Sequence, residues 1–286
     1  MKLKTSHNIL IVGLGLLGGS YALALKQKGF KVSAIDVSDK TVEYAIKNKI
    51  VDLAVTTPNK ELIESADLII FALYPHIFCD WVKEYGKYFK SGAIITDVTG
   101  VKGAIIESIN ENLPKDVEFI AAHPMAGRET GGIENANTEM FKNANYIVVP
   151  TEQNSSDAIE LCKSLGETLG FANISELSVE NHDRMIAFLS QLTHCIAVSL
   201  MCASDNPDLV KYTGDSFRDL TRIAEINDKM WSELFLCNKE ALLQEMDSYK
   251  NAFDKLYEAI KNDDTNTMRE MMKLSTTRRR NFSQSI

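Results

Sequence analysis

Asn8-Ile9-Leu10-Ile11-Val12-Gly13-Leu14-Gly15-Leu16-Leu17-Gly18-Gly19-Ser20 is the stretch whose reading decides the fold. A short apolar run ends in the pattern G-x-G-x-x-G, and the chain passes directly into the alanine- and leucine-rich segment that follows Ser20. Each glycine has its own task. Gly13 permits the tight turn, Gly15 lets backbone approach a pyrophosphate, and Gly18 lets the helix pack close to the strand. The N–H groups of Leu16, Leu17 and Gly18 would then meet the phosphates at the positive end of the helix dipole. A glycine turn alone is a weak signal, and its context decides. The next β-rich run, Val32-Ser33-Ala34-Ile35-Asp36, ends in an acidic residue, placed where a carboxylate accepts hydrogen bonds from the adenosine ribose hydroxyls. The competing reading, Asp36 as a simple cap of the next helix, leaves the three glycines unexplained.

Outward from this unit, short β-rich runs alternate with amphipathic segments, the signature of parallel strands joined by crossover helices. The pattern places strands at Asn8–Val12, Lys31–Asp36, Asp67–Ala72, Ala93–Asp97, Phe119–Ala121 and Tyr146–Val149, with helices such as Leu17–Lys28, Lys40–Lys47, Ile77–Tyr88 and Lys102–Asn112 between them. A last helix, Ser155–Leu169, and an edge strand, Phe171–Ile174, close the β-containing part. From Ser178 onward the periodicity is helical. The expected fold is α/β: a doubly wound, Rossmann-type parallel sheet over 1–172 followed by an all-helical dimerisation domain over 173–286. Apolar residues of Arg184–Met201 cover too wide an arc for one core-facing stripe, which predicts a homodimer.

The bulk composition excludes several classes. At 286 residues the chain is long enough for two ordinary cores, and a net charge of -8 denies nucleic acid the basic face it requires. Arg278-Arg279-Arg280 reads as a solvated helix end. The five cysteines are odd in number and form no C-x-x-C pair, which points to a reducing cytoplasm and no metal. No signal peptide and no apolar run of membrane-spanning length is evident, so no membrane partner is expected.

The remaining motifs resemble the prephenate/arogenate (cyclohexadienyl) dehydrogenase family over essentially the whole chain. They are Gly13–Gly18, Asp97-Val98-Thr99-Gly100-Val101-Lys102, His123-Pro124-Met125-Ala126-Gly127, His182-Asp183 with Ser190-Gln191-Leu192-Thr193-His194, and Phe217-Arg218-Asp219-Leu220-Thr221-Arg222-Ile223-Ala224. Each is a weak pattern, but all of them in this order are specific. The resemblance implies NAD-dependent oxidation of a small cyclohexadienol, with loss of carbon dioxide as the ring aromatises. It makes His123 the group that takes the hydroxyl proton, Arg222 the fork that holds a carboxylate, and His194 a lining residue of the substrate pocket. By residue type alone, His123 would read as a histidine packed after a strand; the motif around it reverses that.

One position departs from the family. Where many relatives carry a serine this chain has Gly100, and Thr99, one position early, is the candidate to replace its hydroxyl. Arg128 and Glu129 fall where the substrate side chain is contacted: the arginine favours the keto acid of prephenate, and the glutamate favours the ammonium of arogenate. Arg218, His182 and Lys102 stay open between site and structural roles. Two rival functions remain. Another Rossmann-plus-helical dehydrogenase, such as a β-hydroxyacid dehydrogenase, would leave the His-Pro-Met-Ala-Gly segment without a use, while a non-catalytic NAD-sensing module is kept open by Gly100.

Asp36 selects the cofactor, because its carboxylate repels a 2′-phosphate and Val37-Ser38 offers no arginine to neutralise one. Asp36→Ala is therefore expected to shift the ratio of NAD to NADP efficiencies toward NADP. An unchanged ratio in steady-state kinetics would refute the assignment.

Overall fold

The computed structural model describes residues 1–127 and 130–283. Arg128 and Glu129 lie outside them. Contact density separates two compact units, Met1–Asn238 and Lys239–Ile286. The helices before Asn238 thus pack with the β-containing part, although the element type changes much earlier.

Among the described residues, the first unit is built on a six-stranded parallel sheet of order β3-β2-β1-β4-β5-β6. Its strands are β1 (Asn8–Val12), β2 (Lys31–Ile35), β3 (Leu53–Val55), β4 (Leu68–Phe71), β5 (Ile94–Asp97) and β6 (Glu118–Phe119). The order reverses between β1 and β4, which opens a crevice at the carboxyl ends of those strands, where ligands of doubly wound sheets bind. β1 and β4 are buried along their apolar residues on both faces, as expected for a sheet covered by helices on each side. The helices are α1 (Leu16–Gln27), α2 (Asp39–Lys47), α3 (Lys60–Ser65), α4 (Pro75–Tyr85) and α5 (Gly103–Asn110). β3 and α3, with 3 and 6 residues, are too short to show a period in sequence.

The expected strand Phe119–Ala121, with His123 following it, needs correction. The parallel ladder stops near Ile120, and a new strand, β7 (Ala121–Pro124), carries His123 within it. β7 is the edge of a second, three-stranded sheet, antiparallel to β8 (Asn145–Val149), which pairs in parallel with β9 (Asn173–Glu176). An edge strand tolerates Pro124, which has no N–H to give to a ladder. α6 (Ser156–Leu169) covers this sheet, and its Gly166 lies so close to Tyr146 that a Cβ would stand 2.6 Å from the ring.

Next comes one continuous helix, α7 (Val179–Ile186), a π-helical segment over Ala187–Leu192, and α8 (Thr193–Cys202). Together they span 24 residues and are long and apolar enough to cross a membrane by length and composition, contrary to the sequence expectation. The reason is that three segments join into one helix, so that the apolar residues between Met185 and Cys202 fall in a single helical element. α9 (Asp215–Thr221) and α10 (Asp228–Cys237) complete the unit. The second unit consists of α11 (Lys239–Lys261) and α12 (Thr265–Ser283), joined by a turn in which Asp263 has φ 52°.

The glycine loop has the form its sequence implies. Gly13 has φ +94°, and a Cβ there would stand 2.5 Å from the Ala72 carbonyl oxygen. At Gly18 the constraint is spatial, since a Cβ would lie 1.9 Å from the Gly13 carbonyl oxygen. Gly18→Ala must therefore displace the loop, at a cost of about 1–3 kcal/mol by the scale of overpacked sites. We expect a lower melting temperature and weaker dinucleotide affinity; thermal unfolding and binding both equal to wild type would contradict this account.

Candidate active site

The switch-point crevice holds a cleft of about 410 Å³. Its floor comes from the loop residues Gly15 to Gly18, one wall from Ala72 to Pro75 after β4 and Val98 to Gly100 after β5, and the facing wall from Asn227, Met230 and Leu234 of the helical segment. α1 starts at the cleft with no side chain capping its first turn and no acidic residue in it, which leaves its N–H groups and positive dipole end for an anion. A Cβ at Gly15 would meet nothing within 4 Å. Among the described residues no neighbour requires this glycine, and its bare backbone suits close approach by a ligand. Asp36 ties this floor to β2: one carboxylate oxygen accepts the Leu14 N–H at 2.7 Å and the other the Ser38 N–H at 2.9 Å. These features fit a dinucleotide, with phosphates at α1 and ribose beside Asp36.

His123 is half-buried on β7, and its Nδ1 lies 2.9 Å from His182 Nε2. His182 Nδ1 lies in turn 2.7 Å from Asp183 Oδ1. The chemistry of these atoms fixes the tautomers. An ionised carboxylate only accepts, so His182 Nδ1 carries hydrogen and donates; its Nε2 is then bare and accepts from His123 Nδ1–H. This leaves the Nε2 of His123 with a free lone pair. A Cβ on Gly100 would sit 3.9 Å from that Nε2 and 3.8 Å from Leu234 Cδ2, so the basic nitrogen borders the same space as the cleft-lining Gly100 and Leu234.

The electrostatics agree with these tautomers. Burial, reinforced by the Lys102 ammonium and by His182, holds His123 well below the ordinary imidazole range. Burial likewise lowers His182 and outweighs its bond to Asp183. Burial alone would raise Asp183, but His182 and the N–H groups of Gly103 and Lys102 overcome it and lower its pKa. Asp183 receives those N–H groups at 2.7 and 3.0 Å, so it caps α5, which has no cap of its own, from another helix. Gly103 must be glycine for this, because a Cβ would lie 2.9 Å from the carboxylate.

Lys102 is fully buried. Its ammonium donates to Asp97 Oδ2 at 2.6 Å, the Ala122 carbonyl at 2.6 Å and Thr99 O at 3.0 Å. Thr99 lines the cleft, but its hydroxyl contacts Asp97, Val101 O and Lys102, and is therefore turned inward. The expectation that it replaces the absent serine hydroxyl is corrected: its hydrogen-bonding capacity is already committed to the buried pair.

His194 donates from Nδ1 to the Ser190 carbonyl at 2.9 Å and stacks on Trp231 of α10, ring centroids 3.7 Å apart. On a regular α-helix twelve positions would turn His182 and His194 roughly 120° apart. The π segment between them acts as about one inserted residue, which reduces the difference to roughly 20° and directs both toward one face. The same segment presents buried Gln191, which donates to Leu234 O at 2.8 Å and accepts from Asn238 at 2.8 Å, joining this helix to α10. Arg222 lies on an exposed 3-10 turn after α9, and Arg218 pairs with Asp215 and with the Thr213 carbonyl at 3.0 Å, a partner other than the Asp219 or Glu225 that its neighbours in sequence suggest.

Asp97, Lys102 and Asp183 fall inside the motifs quoted above, but their roles are hard to see in sequence, because burial and hydrogen-bond partners are set only on folding.

Residues 21–174 match the family model described as prephenate dehydrogenase, nucleotide-binding domain, and residues 178–274 that described as prephenate dehydrogenase, dimerization domain. The chain is 34% identical to a prephenate dehydrogenase of Lactococcus lactis, over 87% of this chain and 70% of that protein. It is 30% identical to that of Bacillus subtilis, over 93% of this chain and 73% of the relative. The crystal structure of prephenate dehydrogenase from A. aeolicus in complex with hydroxyphenyl propionate and NAD+ superposes with a TM-score of 0.89 at 28% identity, covering 99% of this chain and 100% of that one.

Proposed function

This chain belongs to the prephenate dehydrogenase family, and from that premise we propose that it oxidises prephenate to 4-hydroxyphenylpyruvate with NAD, in the synthesis of tyrosine. The observation that carries the reading is the bare Nε2 of His123, presented beside the cleft by the Asp183–His182 chain. When bound, NAD supplies the hydride acceptor. The glycine loop and the start of α1 hold its phosphates, and Asp36 holds the ribose and disfavours a 2′-phosphate.

In this reading His123 Nε2 takes the proton of the 4-hydroxyl as the hydride leaves the carbinol carbon. His182 and Asp183 keep the ring oriented and share the positive charge that develops on it. Loss of carbon dioxide returns its bonding pair to the ring, which becomes aromatic, and the phenolate oxygen recovers the proton from His123. His194, held by Trp231, is assigned to the substrate pocket, and Arg222 to a carboxylate by the family resemblance. Purified protein with prephenate and NAD should produce NADH, and His123→Asn should lower turnover by about a hundredfold or more with little change in Michaelis constant. Undiminished turnover would remove His123 from the mechanism, and a higher efficiency with arogenate would reassign the substrate.

We also propose a homodimer. Phe188, Leu189, Leu200 and Met201 are exposed on the long helix of the first unit, and Leu243, Met246, Phe253 and Tyr257 form an exposed apolar stripe along α11. The match to a dimerization-domain model supports a second copy as what covers them. Light scattering at micromolar concentration should give twice the chain mass of 31.9 kDa, and a stable monomer would exclude the dimer.

A further inference from the structure

The strand that carries His123 is held at its outer edge by side chains where main chain would be expected. β5 and β6 pair in parallel at Ile94–Glu118 and Ile95–Phe119, and the Ile120 N–H still reaches Ile95 O at 2.9 Å. In a continued parallel ladder the Ala122 N–H would go to the Asp97 carbonyl, and the Ala122 carbonyl would receive the Thr99 N–H. Neither bond forms. The Ala122 N–H goes to Asp97 Oδ1 at 3.1 Å, its carbonyl accepts Lys102 Nζ at 2.6 Å, and the Thr99 N–H turns to Asp97 Oδ2 at 2.9 Å. The Asp97–Lys102 pair thus replaces two ladder bonds at the residue immediately before His123.

We propose that Lys102 is a positioning residue for His123, acting through the Ala122 carbonyl to set where the strand places the imidazole. This rests on His123 being the base of the proposed reaction. A lysine and an aspartate with no exposed side-chain surface carry a large desolvation cost, which the pair offsets only through the bonds just named. An apolar pair in their place would not supply those bonds to Ala122. The ammonium has a second effect, since a nearby cation opposes protonation of His123 and keeps its lone pair available. The charged and titratable groups facing Lys102 are Asp97 on β5, Asp183 on α7 and Cys162 on α6; those facing His123 are Lys102 and His182.

The test compares wild type with Lys102→Met, which keeps the length of the stem and removes the donor and the charge. Three quantities are read: kcat, NAD affinity, and the titration of the His123 ring by nitrogen-15 NMR without substrate. The expected result is a kcat lowered at least tenfold, a dissociation constant for NAD within about twofold of wild type, and a His123 titration moved to higher pH. The direction follows from loss of a neighbouring positive charge, which raises the pKa of a base, and the acid limb of kcat/KM should move with it. A folded variant that binds NAD normally and retains both kcat and the His123 titration would overturn the proposal. Should Lys102→Met fail to fold, Lys102→Gln, which removes the charge and shortens the stem, is read in the same way, and unchanged kcat and His123 titration there overturn the proposal. If wild type does not oxidise prephenate but the His123 titration still moves in the variant, the assigned reaction fails while the positioning role stands.

Discussion

A carboxylate buried away from water must be given donors, and the way Asp183 receives them organises the site. Its oxygens accept two backbone N–H groups at the start of α5 and the Nδ1–H of His182. The backbone donors fix α7 against the loop that follows β5, while the ring donor fixes the tautomer of His182 and, through it, that of His123. Helix docking and the basicity of one nitrogen thus follow from a single hydrogen-bonding requirement.

The two sides of the cleft are built on different physics. On the dinucleotide side, backbone is brought close to where a ligand would lie: a Cβ added at Gly13 or Gly18 would stand 2.5 or 1.9 Å from a carbonyl oxygen, while one at Gly15 would meet nothing within 4 Å among the described residues. On the chemical side, polar side chains occupy positions where main-chain bonds would be usual, as Asp97 and Lys102 do at Ala122. The first arrangement is a property of backbone shape and belongs to a local stretch of sequence. The second needs residues from β5, the start of α5 and β7 together, and α7 to complete it.

The helical segment contributes through an irregularity. A regular helix from Val179 to Cys202 would turn His182 and His194 to different faces, and the π segment brings them toward one. Widened turns of this kind cost backbone energy, and here the buried Gln191, bonded to both Leu234 and Asn238, offers a local compensation.

The sequence by itself determined the parallel sheet, the glycine loop, the placement of Asp36 at the end of β2 and the helical character beyond Ser178. Those features repeat with a short period or sit at fixed offsets along the chain, and so they can be read before folding. His123 was legible as a residue, but not its position inside an edge strand, because the break at Ile120 depends on which partner strand wins. The role of Lys102, open in sequence, and the direction of the Thr99 hydroxyl were not legible for a related reason: nothing near them in sequence shows that the lysine is fully buried and that the hydroxyl turns inward. Only the tertiary structure decided those points, since burial and hydrogen-bond partnership across Asp97, Ala122 and Asp183 are set by residues far apart in the chain and cannot be inferred from spacing.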